Sequence, residues 1–161
     1  MAYRIRAVTL QDIEILVAQR SASLLERGHA PADVRKVEGS AHGWFTDHLQ
    51  DGTFVGWLVE AGDDQIVAGA GMWLMDWLPS VSSIGRTRAH IFNVYTEPAY
   101  RRQGLARKLM QQCLDECSAR GITIVSLHAS ETGKLLYDTM GFQPSSEMRI
   151  KLPAAAEQAE K

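Results

Sequence analysis

The chain has 161 residues, a length that predicts one domain of ordinary size. Its 45% of hydrophobic and 22% of charged residues are typical of a folded protein with a core, which excludes disorder as the main state. Seventeen basic against nineteen acidic side chains give a formal net charge of -2, a balance that argues against a general nucleic-acid binder.

The sequence shows no sign of insertion into a membrane or of export. No apolar run approaches the ~20 residues of a membrane span, and the first twelve residues have no apolar core of a signal peptide. The cysteines, Cys113 and Cys117, lie four residues apart in a predicted helix, so we expect reduced core thiols that bind no metal. These features predict a cytoplasmic protein.

Hydrophobic periodicity and turn residues predict ten elements in the order β, α, α, β, β, β, α, β, α, β. The predicted elements are a strand over 3–6, helices that begin near Thr9 and at Pro31, strands over 53–60, 66–74 and 89–96, a helix over about 104–120, a strand over 122–129, a helix over 132–140 and a strand over 148–152. Residues 1–152 are expected to form the domain, and residues 153–161 are expected to be a frayed tail.

The segment over 91–110 carries the strongest chemical signal. A strand runs through a basic, glycine-containing turn directly into an amphipathic helix, and the first turn of a helix presents unpaired amides and a positive dipole end. Four basic residues and no acidic one stand between Pro98 and Leu114: Arg101, Arg102, Arg107 and Lys108. Gly104 would let an anion such as a phosphate approach the backbone closely. A basic helix start that is merely solvated remains the alternative.

Two motifs resemble the GNAT superfamily of acyl-CoA-dependent N-acetyltransferases. Residues 101–106, RRQGLA, match the pyrophosphate loop [RQ]-x-x-G-x-[GA] between a strand and a helix, and residues 136–142, LYDTMGF, look like the segment L-Y-x-x-x-G-F. The order of predicted elements agrees with that family from Tyr3 to Leu152. The resemblance implies an α/β, GNAT-like fold in which helices flank a mixed, mostly antiparallel sheet.

The resemblance also implies acetyl-CoA as cosubstrate and assigns residues to it. The loop amides over 102–107 would hold the pyrophosphate, and the strand over 92–96 would pair with the pantetheine arm, one of its amides polarising the thioester carbonyl. The residues assigned to the cofactor in this way are Phe92, Asn93, Val94, Tyr95, Thr96, Arg101, Arg102, Gln103, Gly104, Leu105, Ala106, Arg107 and Ser130.

Tyr137 matches the general acid of the family, whose phenol would protonate the departing thiolate. A half-buried aromatic on an amphipathic helix is the competing interpretation. The chain departs from the family at two places, since Ser130 and Gly133 stand where many members have asparagine and alanine. Ser130 also has a local explanation as the N-cap of the helix that follows.

The sequence identifies no general base clearly. Glu97 follows the cofactor strand, Asn93 and Tyr95 are expected on the face opposite Phe92, Val94 and Thr96, and His128 ends the neighbouring strand. A solvated turn would explain Glu97 equally well, and a structural role would explain His128.

Four tryptophans are many for this length. Trp57 and Trp73 fall within predicted strands and are expected in the core. Trp77 follows Asp76 in a loop, where it would line an acceptor pocket for a cationic amine, form a lid or enter a dimer contact. A homodimer that buries Trp44 or Trp77 is left open.

These observations predict an N-acetyltransferase that moves an acetyl group from acetyl-CoA to the primary amine of a small molecule or peptide, without a nucleic-acid or membrane partner. A catalytically silent acyl-CoA-binding module and a small nucleotide- or RNA-binding domain are the alternatives. The acceptor, and acyl groups other than acetyl, stay open because the first two helices and the loop over 76–88 carry no diagnostic motif.

Overall fold

The computed structural model describes residues 3–152, with the backbone alone at residue 63. The tail expected over 153–161 lies outside these residues. The chain forms two compact units that divide between His128 and Ala129, and each is described by itself. Within the described residues, no helix has both the length and the apolar character needed to cross a membrane.

The first unit is a five-stranded sheet with three α-helices. Its elements are β1 (Arg4–Ala7), α1 (Ile13–Glu26), α2 (Pro31–Gln50), β2 (Phe54–Ala61), β3 (Gln65–Asp76), β4 (Thr87–Thr96), α3 (Leu105–Ala119) and β5 (Val125–Leu127). The strands lie in the order β1-β2-β3-β4-β5, and only β4 and β5 are parallel. The mixed, mostly antiparallel sheet expected from the sequence is therefore confirmed.

The predicted helix starts are confirmed by their local hydrogen bonds and residue types. The Asp12 carboxylate accepts the Thr9 N–H at 2.8 Å in a short 3-10 turn over Leu10–Asp12 that leads into α1. Pro31 occupies the first turn of α2, where its missing N–H costs no hydrogen bond. Both signals act within one turn of helix, so the sequence alone reveals them.

The helices cover the two faces of the sheet. On β3 the Met72 sulfur lies 3.3 Å from Cys117 of α3, whereas the ring of the next residue, Trp73, lies 5.8 Å from Trp44 of α2. Because successive residues of a strand point to opposite faces, α3 packs on one face and α2 on the other.

The core residues confirm the predicted role of the cysteines. The face shared with α1 and α2 buries Leu16, Phe45, Phe54 and Leu58. Cys113 and Cys117 of α3 are buried and form no disulfide. Burial raises the pKa of the Cys113 thiol to about 12, which keeps the thiol protonated near neutral pH.

The fifth strand is shorter than expected. It was predicted over 122–129 but spans only Val125–Leu127. Ile122 is buried, but its N–H donates to the Cys117 carbonyl at 2.8 Å in the turn that follows α3. Ile122 is therefore apolar because it packs against the end of α3, and it does not belong to the fifth strand.

The second unit contains α4 (Glu131–Thr139), and the strand predicted over 148–152 is wrong. Met148, Ile150 and Leu152 alternate with charged residues, as strand residues do, yet all three are exposed. A strand exists only where a neighbouring chain segment completes its hydrogen-bond ladder, and within the described residues none pairs with this segment. The alternating pattern alone was an insufficient signal.

Candidate active site

The loop ahead of α3 has the backbone of an anion-binding site. Arg102 and Gly104 both adopt positive φ, 62° and 79°, immediately before the helix. The first hydrogen bond of α3 runs from the Lys108 N–H to the Gly104 carbonyl at 3.1 Å, so Leu105 and Ala106 precede the helical ladder. Left-handed residues next to a helix start turn successive amides towards one point, and no described atom lies within 4 Å of a Cβ built on Gly104. The surface above these amides is open.

Arg101 is held by contacts with two other parts of the first unit. Its Nε donates to the Thr96 carbonyl at 2.8 Å, and its Nη2 lies 2.5 Å from Glu26 at the end of α1. The guanidinium therefore ties the loop to β4 and α1, and Glu26 compensates its charge. The side chains of Arg102, Arg107 and Lys108 are exposed around the helix start and supply the positive field there.

A β-bulge interrupts β4 beside the predicted cofactor strand. Gly69 of β3 opposes Tyr95 and Gly71 opposes Phe92, so Asn93 and Val94 together face a single residue of β3. Asn93 has φ 55°, and its side-chain amide donates to the Leu16 carbonyl of α1 at 3.1 Å.

The bulge corrects one expectation from the sequence. Phe92 packs against Phe45 and Phe54, on the same face of the sheet from which the Asn93 side chain reaches α1. The predicted placement of Asn93 opposite Phe92 is therefore wrong. The extra residue breaks the two-residue alternation, which holds only in a regular strand.

The bulge lies next to the point where β4 and β5 separate. Their parallel pairing joins Ala89–Ile91 with Val125–Leu127 and ends there. Over 92–96, β4 continues to pair with β3, but no described strand lies along its other edge. Backbone groups on such an edge can pair with an extended ligand. The Thr96 hydroxyl oxygen is also buried without a hydrogen-bond partner among the described residues.

Glu97 lies at the loop end of β4. Its N–H donates to the Val67 carbonyl at 2.9 Å, and its carboxylate lies 3.5 Å from the Tyr95 hydroxyl. Burial, followed by the charge of Glu97, raises the pKa of Tyr95 above its usual value. Glu97 therefore lies beside Tyr95, at the end of β4 that leads into the basic loop.

In the second unit, Tyr137 and Ser130 belong to the same short helix. The Tyr137 side chain is 8% exposed, and its ring lies edge-on to Phe142 at 6.0 Å. The Ser130 hydroxyl accepts the Gly133 N–H at 3.1 Å, which confirms its role as N-cap. A Cβ at Gly133 would lie 2.7 Å from Tyr137 Cε2. Glycine in place of the family's alanine therefore makes room for the tyrosine ring.

The structure also assembles a row of side chains that the sequence analysis missed. Phe54, Trp73, His90 and Ser126 stand opposite one another across β2, β3, β4 and β5. His90 Nδ1 lies 2.8 Å from the Ser126 hydroxyl, and the His128 ring lies 4.9 Å from the His90 ring. The only sequence signal was the position of His90, two residues before Phe92 on a predicted strand.

Trp57 and Trp73 were both expected in the core, but the structure buries only one of them. Trp57 is buried as predicted, but Trp73 is 36% exposed, so its predicted place in the core is wrong. Trp44 and His48 of α2 stack on each other at 3.8 Å and meet Trp73 edge-on, which leaves part of its ring uncovered. Trp77 is 43% exposed beneath the Arg88 guanidinium, 4.6 Å from its ring centre.

Comparison with known proteins agrees with this fold. The family model described as Acetyltransferase (GNAT) family matches residues 19–142. The chain therefore belongs to the GNAT family of acetyltransferases.

Two similar solved structures match nearly the whole chain. One is a GCN5-related N-acetyltransferase from Ralstonia eutropha JMP134, 30% identical with a TM-score of 0.89, the match covering 94% of this chain and 99% of that one. The other is a predicted acetyltransferase from Clostridium acetobutylicum, solved with acetyl-CoA, 28% identical with a TM-score of 0.86 and coverage of 94% and 96%.

The curated relatives match a shorter segment. The [ribosomal protein bS18]-alanine N-acetyltransferase of Escherichia coli K12 is 31% identical over 77 residues, which is 46% of this chain and 52% of that protein. The chain thus spans about half the length of the curated relatives that it matches.

Proposed function

We propose that this protein transfers the acetyl group of acetyl-CoA to a primary amine by direct attack of the amine on the thioester. The observation that carries the proposal is the loop in which Arg102 and Gly104 take positive φ ahead of α3. Its amides over 102–107 bind the pyrophosphate of coenzyme A, and the exposed side chains of Arg102 and Lys108 add positive charge. The Clostridium acetobutylicum structure with acetyl-CoA supports this choice of cosubstrate.

The pantetheine arm pairs with the open edge of β4 over 92–96 as an added strand. Parallel pairing with β5 stops just before this segment, and no described strand pairs with that edge, an arrangement that an extended ligand would complete. The bulge at Asn93 turns a backbone amide out of the regular ladder, and an amide fixed in this way stabilises the negative charge that develops on the thioester oxygen. Coenzyme A supplies the activated thioester, and the chain binds and orients it.

Tyr137 donates a proton to the departing thiolate, a role supported by the match of residues 136–142 to the family motif. Ser130 has a smaller role at the pantetheine arm than the family's asparagine, because its hydroxyl already caps α4.

The acceptor is the primary amine of a small molecule or peptide. A peptide acceptor draws support from the curated relatives, which are named for an alanine of ribosomal protein bS18.

Acetyl-CoA binding and thiol release across a panel of amines test this function. The variant Tyr137→Phe keeps the ring and loses the hydroxyl, so we expect turnover to fall at least tenfold with unchanged acetyl-CoA affinity by calorimetry. Tyr100→Phe is the matched control, since it removes a hydroxyl that donates to Gln65 and should leave both quantities unchanged.

The outcomes separate the proposal from its main alternative. Acetyl-CoA binding without thiol release in any amine of the panel would identify a catalytically silent acyl-CoA-binding module. Absence of acetyl-CoA binding would also contradict the assignment of the loop over 102–107 as the pyrophosphate site.

A further inference from the structure

We propose that His90 is the general base of this reaction, that Ser126 is the residue that positions it, and that His128 passes the proton to solvent. The proposal rests on the function proposed above and names a group that the sequence motifs do not identify. It is carried by the placement of three polar side chains, one from β4, one from β5 and one from the residue that follows β5, close to one another.

His90 lies near the point where β4 and β5 separate. Pairing of β4 with β5 ends at Ile91 and Leu127, so His90 stands one residue before the point where the two strands separate. Its ring lies 6.5 Å from that of Phe92, nearly parallel to it, on the face that carries Trp73 and α2. A thioester held along the open edge that starts at Phe92 therefore ends beside His90.

The hydrogen bonds of Ser126 determine the tautomer of His90. The Ser126 hydroxyl lies 3.5 Å from the Ala89 carbonyl, to which it donates, and 2.8 Å from His90 Nδ1. A serine that donates to a carbonyl accepts from its other neighbour, so His90 carries its proton on Nδ1. This tautomer has its lone pair on Nε2, which is the atom that takes the proton from the amine.

His128 gives the proton a route from His90 to solvent. His128 is exposed, and its ring stands edge-on to that of His90 at a centroid distance of 4.9 Å. It lies two residues beyond Ser126, so it belongs to the same face of the β5 segment. A proton accepted by His90 passes to His128 directly or through one water and then to bulk solvent.

Two further titratable side chains lie close to this row of residues. They are His48 on α2, whose ring meets Trp73, and Arg88, which precedes His90 by two residues and lies over Trp77. Trp73 of β3 directly opposes His90 and does not titrate.

The remaining candidates fit less well. Glu97 follows the end of β4, seven residues after His90 and roughly 20 Å away at the rise of a strand, and its carboxylate faces the Tyr95 hydroxyl. The Asn93 amide is not a base, and it donates to the Leu16 carbonyl.

The proton balance is simple. The acceptor ammonium gives one proton to His90 Nε2, and the neutral nitrogen then forms the C–N bond with the thioester carbonyl carbon. As the tetrahedral adduct collapses, the C–S bond breaks and the thiolate is protonated by Tyr137. The second nitrogen proton restores the phenol through solvent. One acetyl group moves, one thiol forms, and one proton leaves through His90.

The experiment compares pH profiles of kcat/KM for thiol release, using an amine that the panel shows to be accepted. We expect His90→Gln to lower kcat/KM by 100-fold or more and to abolish the acidic limb of the profile, with unchanged acetyl-CoA affinity. Ser126→Ala should lower kcat/KM by about tenfold and shift that limb, and Ser126→Thr should restore both, because it keeps the hydroxyl. His42→Gln is the control, since His42 pairs with Glu14 between α1 and α2.

Three results would contradict the role of His90, the role of Ser126 or the proposed function. A wild-type protein with turnover whose His90→Gln variant keeps the acidic limb would overturn this inference alone and leave the proposed function standing. A Ser126→Thr variant as impaired as Ser126→Ala would overturn the positioning role. A wild-type protein that binds acetyl-CoA but acetylates no amine would remove both proposals.

Discussion

At the scale of single residues, the conformation of Gly104 is the feature on which cofactor binding depends most. Gly104 and Gly121 stand at the two ends of α3, both with positive φ, and a Cβ placed on either residue would have no described atom within 4 Å. They therefore share a conformational requirement, but only Gly104 lies at the helix N-terminus, where anions are stabilised.

This pair allows a controlled prediction. Alanine in a left-handed conformation costs about 1 kcal/mol, so Gly104→Ala and Gly121→Ala should lose similar free energies of unfolding in urea. We expect only Gly104→Ala to weaken acetyl-CoA binding, by tenfold or more in calorimetry, because its methyl group enters the space above the loop amides. Equal affinities in the two variants would contradict the proposed pyrophosphate site.

At the scale of elements, the bulge in β4 determines how the strand presents its edge. Asn93 adopts a conformation that asparagine tolerates better than most residues, and its amide fixes the strand to α1 through the Leu16 carbonyl. The bulge is therefore encoded by one residue type and one long-range hydrogen bond.

Two substitutions separate these contributions. Asn93→Gly keeps the backbone conformation and loses the hydrogen bond, so we expect about 1 kcal/mol less stability. Asn93→Val adds the strain of a β-branched residue at positive φ, and we expect a total loss of about 2 to 3 kcal/mol in urea unfolding. A valine variant as stable as the glycine variant would show that the bulge relaxes without strain.

At the scale of the whole molecule, a partly buried ion-pair network joins distant parts of the first unit. Arg6 of β1 binds Asp12, ahead of α1, at 2.7 Å and Glu60 of β2 at 2.5 Å. The hydrogen bond from Arg6 and those from Thr9 outweigh burial and lower the pKa of Asp12 from 3.8 to about 2. The same contacts raise the pKa of Arg6, so the pair stays charged.

The sign of the pH dependence follows from this shift. A carboxylate with a lowered pKa stabilises the fold above its unfolded pKa and loses that contribution as the pH falls through its folded pKa. The shift corresponds to about 2 kcal/mol. We expect Asp12→Asn to be less stable than wild type by about this amount at pH 7, with the difference shrinking between pH 4 and pH 2. Asp47→Asn, on the exposed side of α2, is the control for the loss of one negative charge.

The sequence by itself determined the features that depend on neighbouring residues. Asp12 and Pro31 mark helix starts, Ser130 caps α4, and residues 101–106 indicate the loop, because capping and turn chemistry act over a few residues. Helical periodicity likewise identified the buried face of α3, including Cys113 and Cys117.

Only the tertiary structure decided which strands pair and where pairing stops. The missing ladder over 148–152, the partly exposed ring of Trp73 and the bulge at Asn93 all depend on partners far away in the chain. So does the contact of His90 with Ser126, 36 residues later. Pairing between distant segments depends on packing and on loop closure across the whole sheet. The local periodicity of the sequence encodes neither of these.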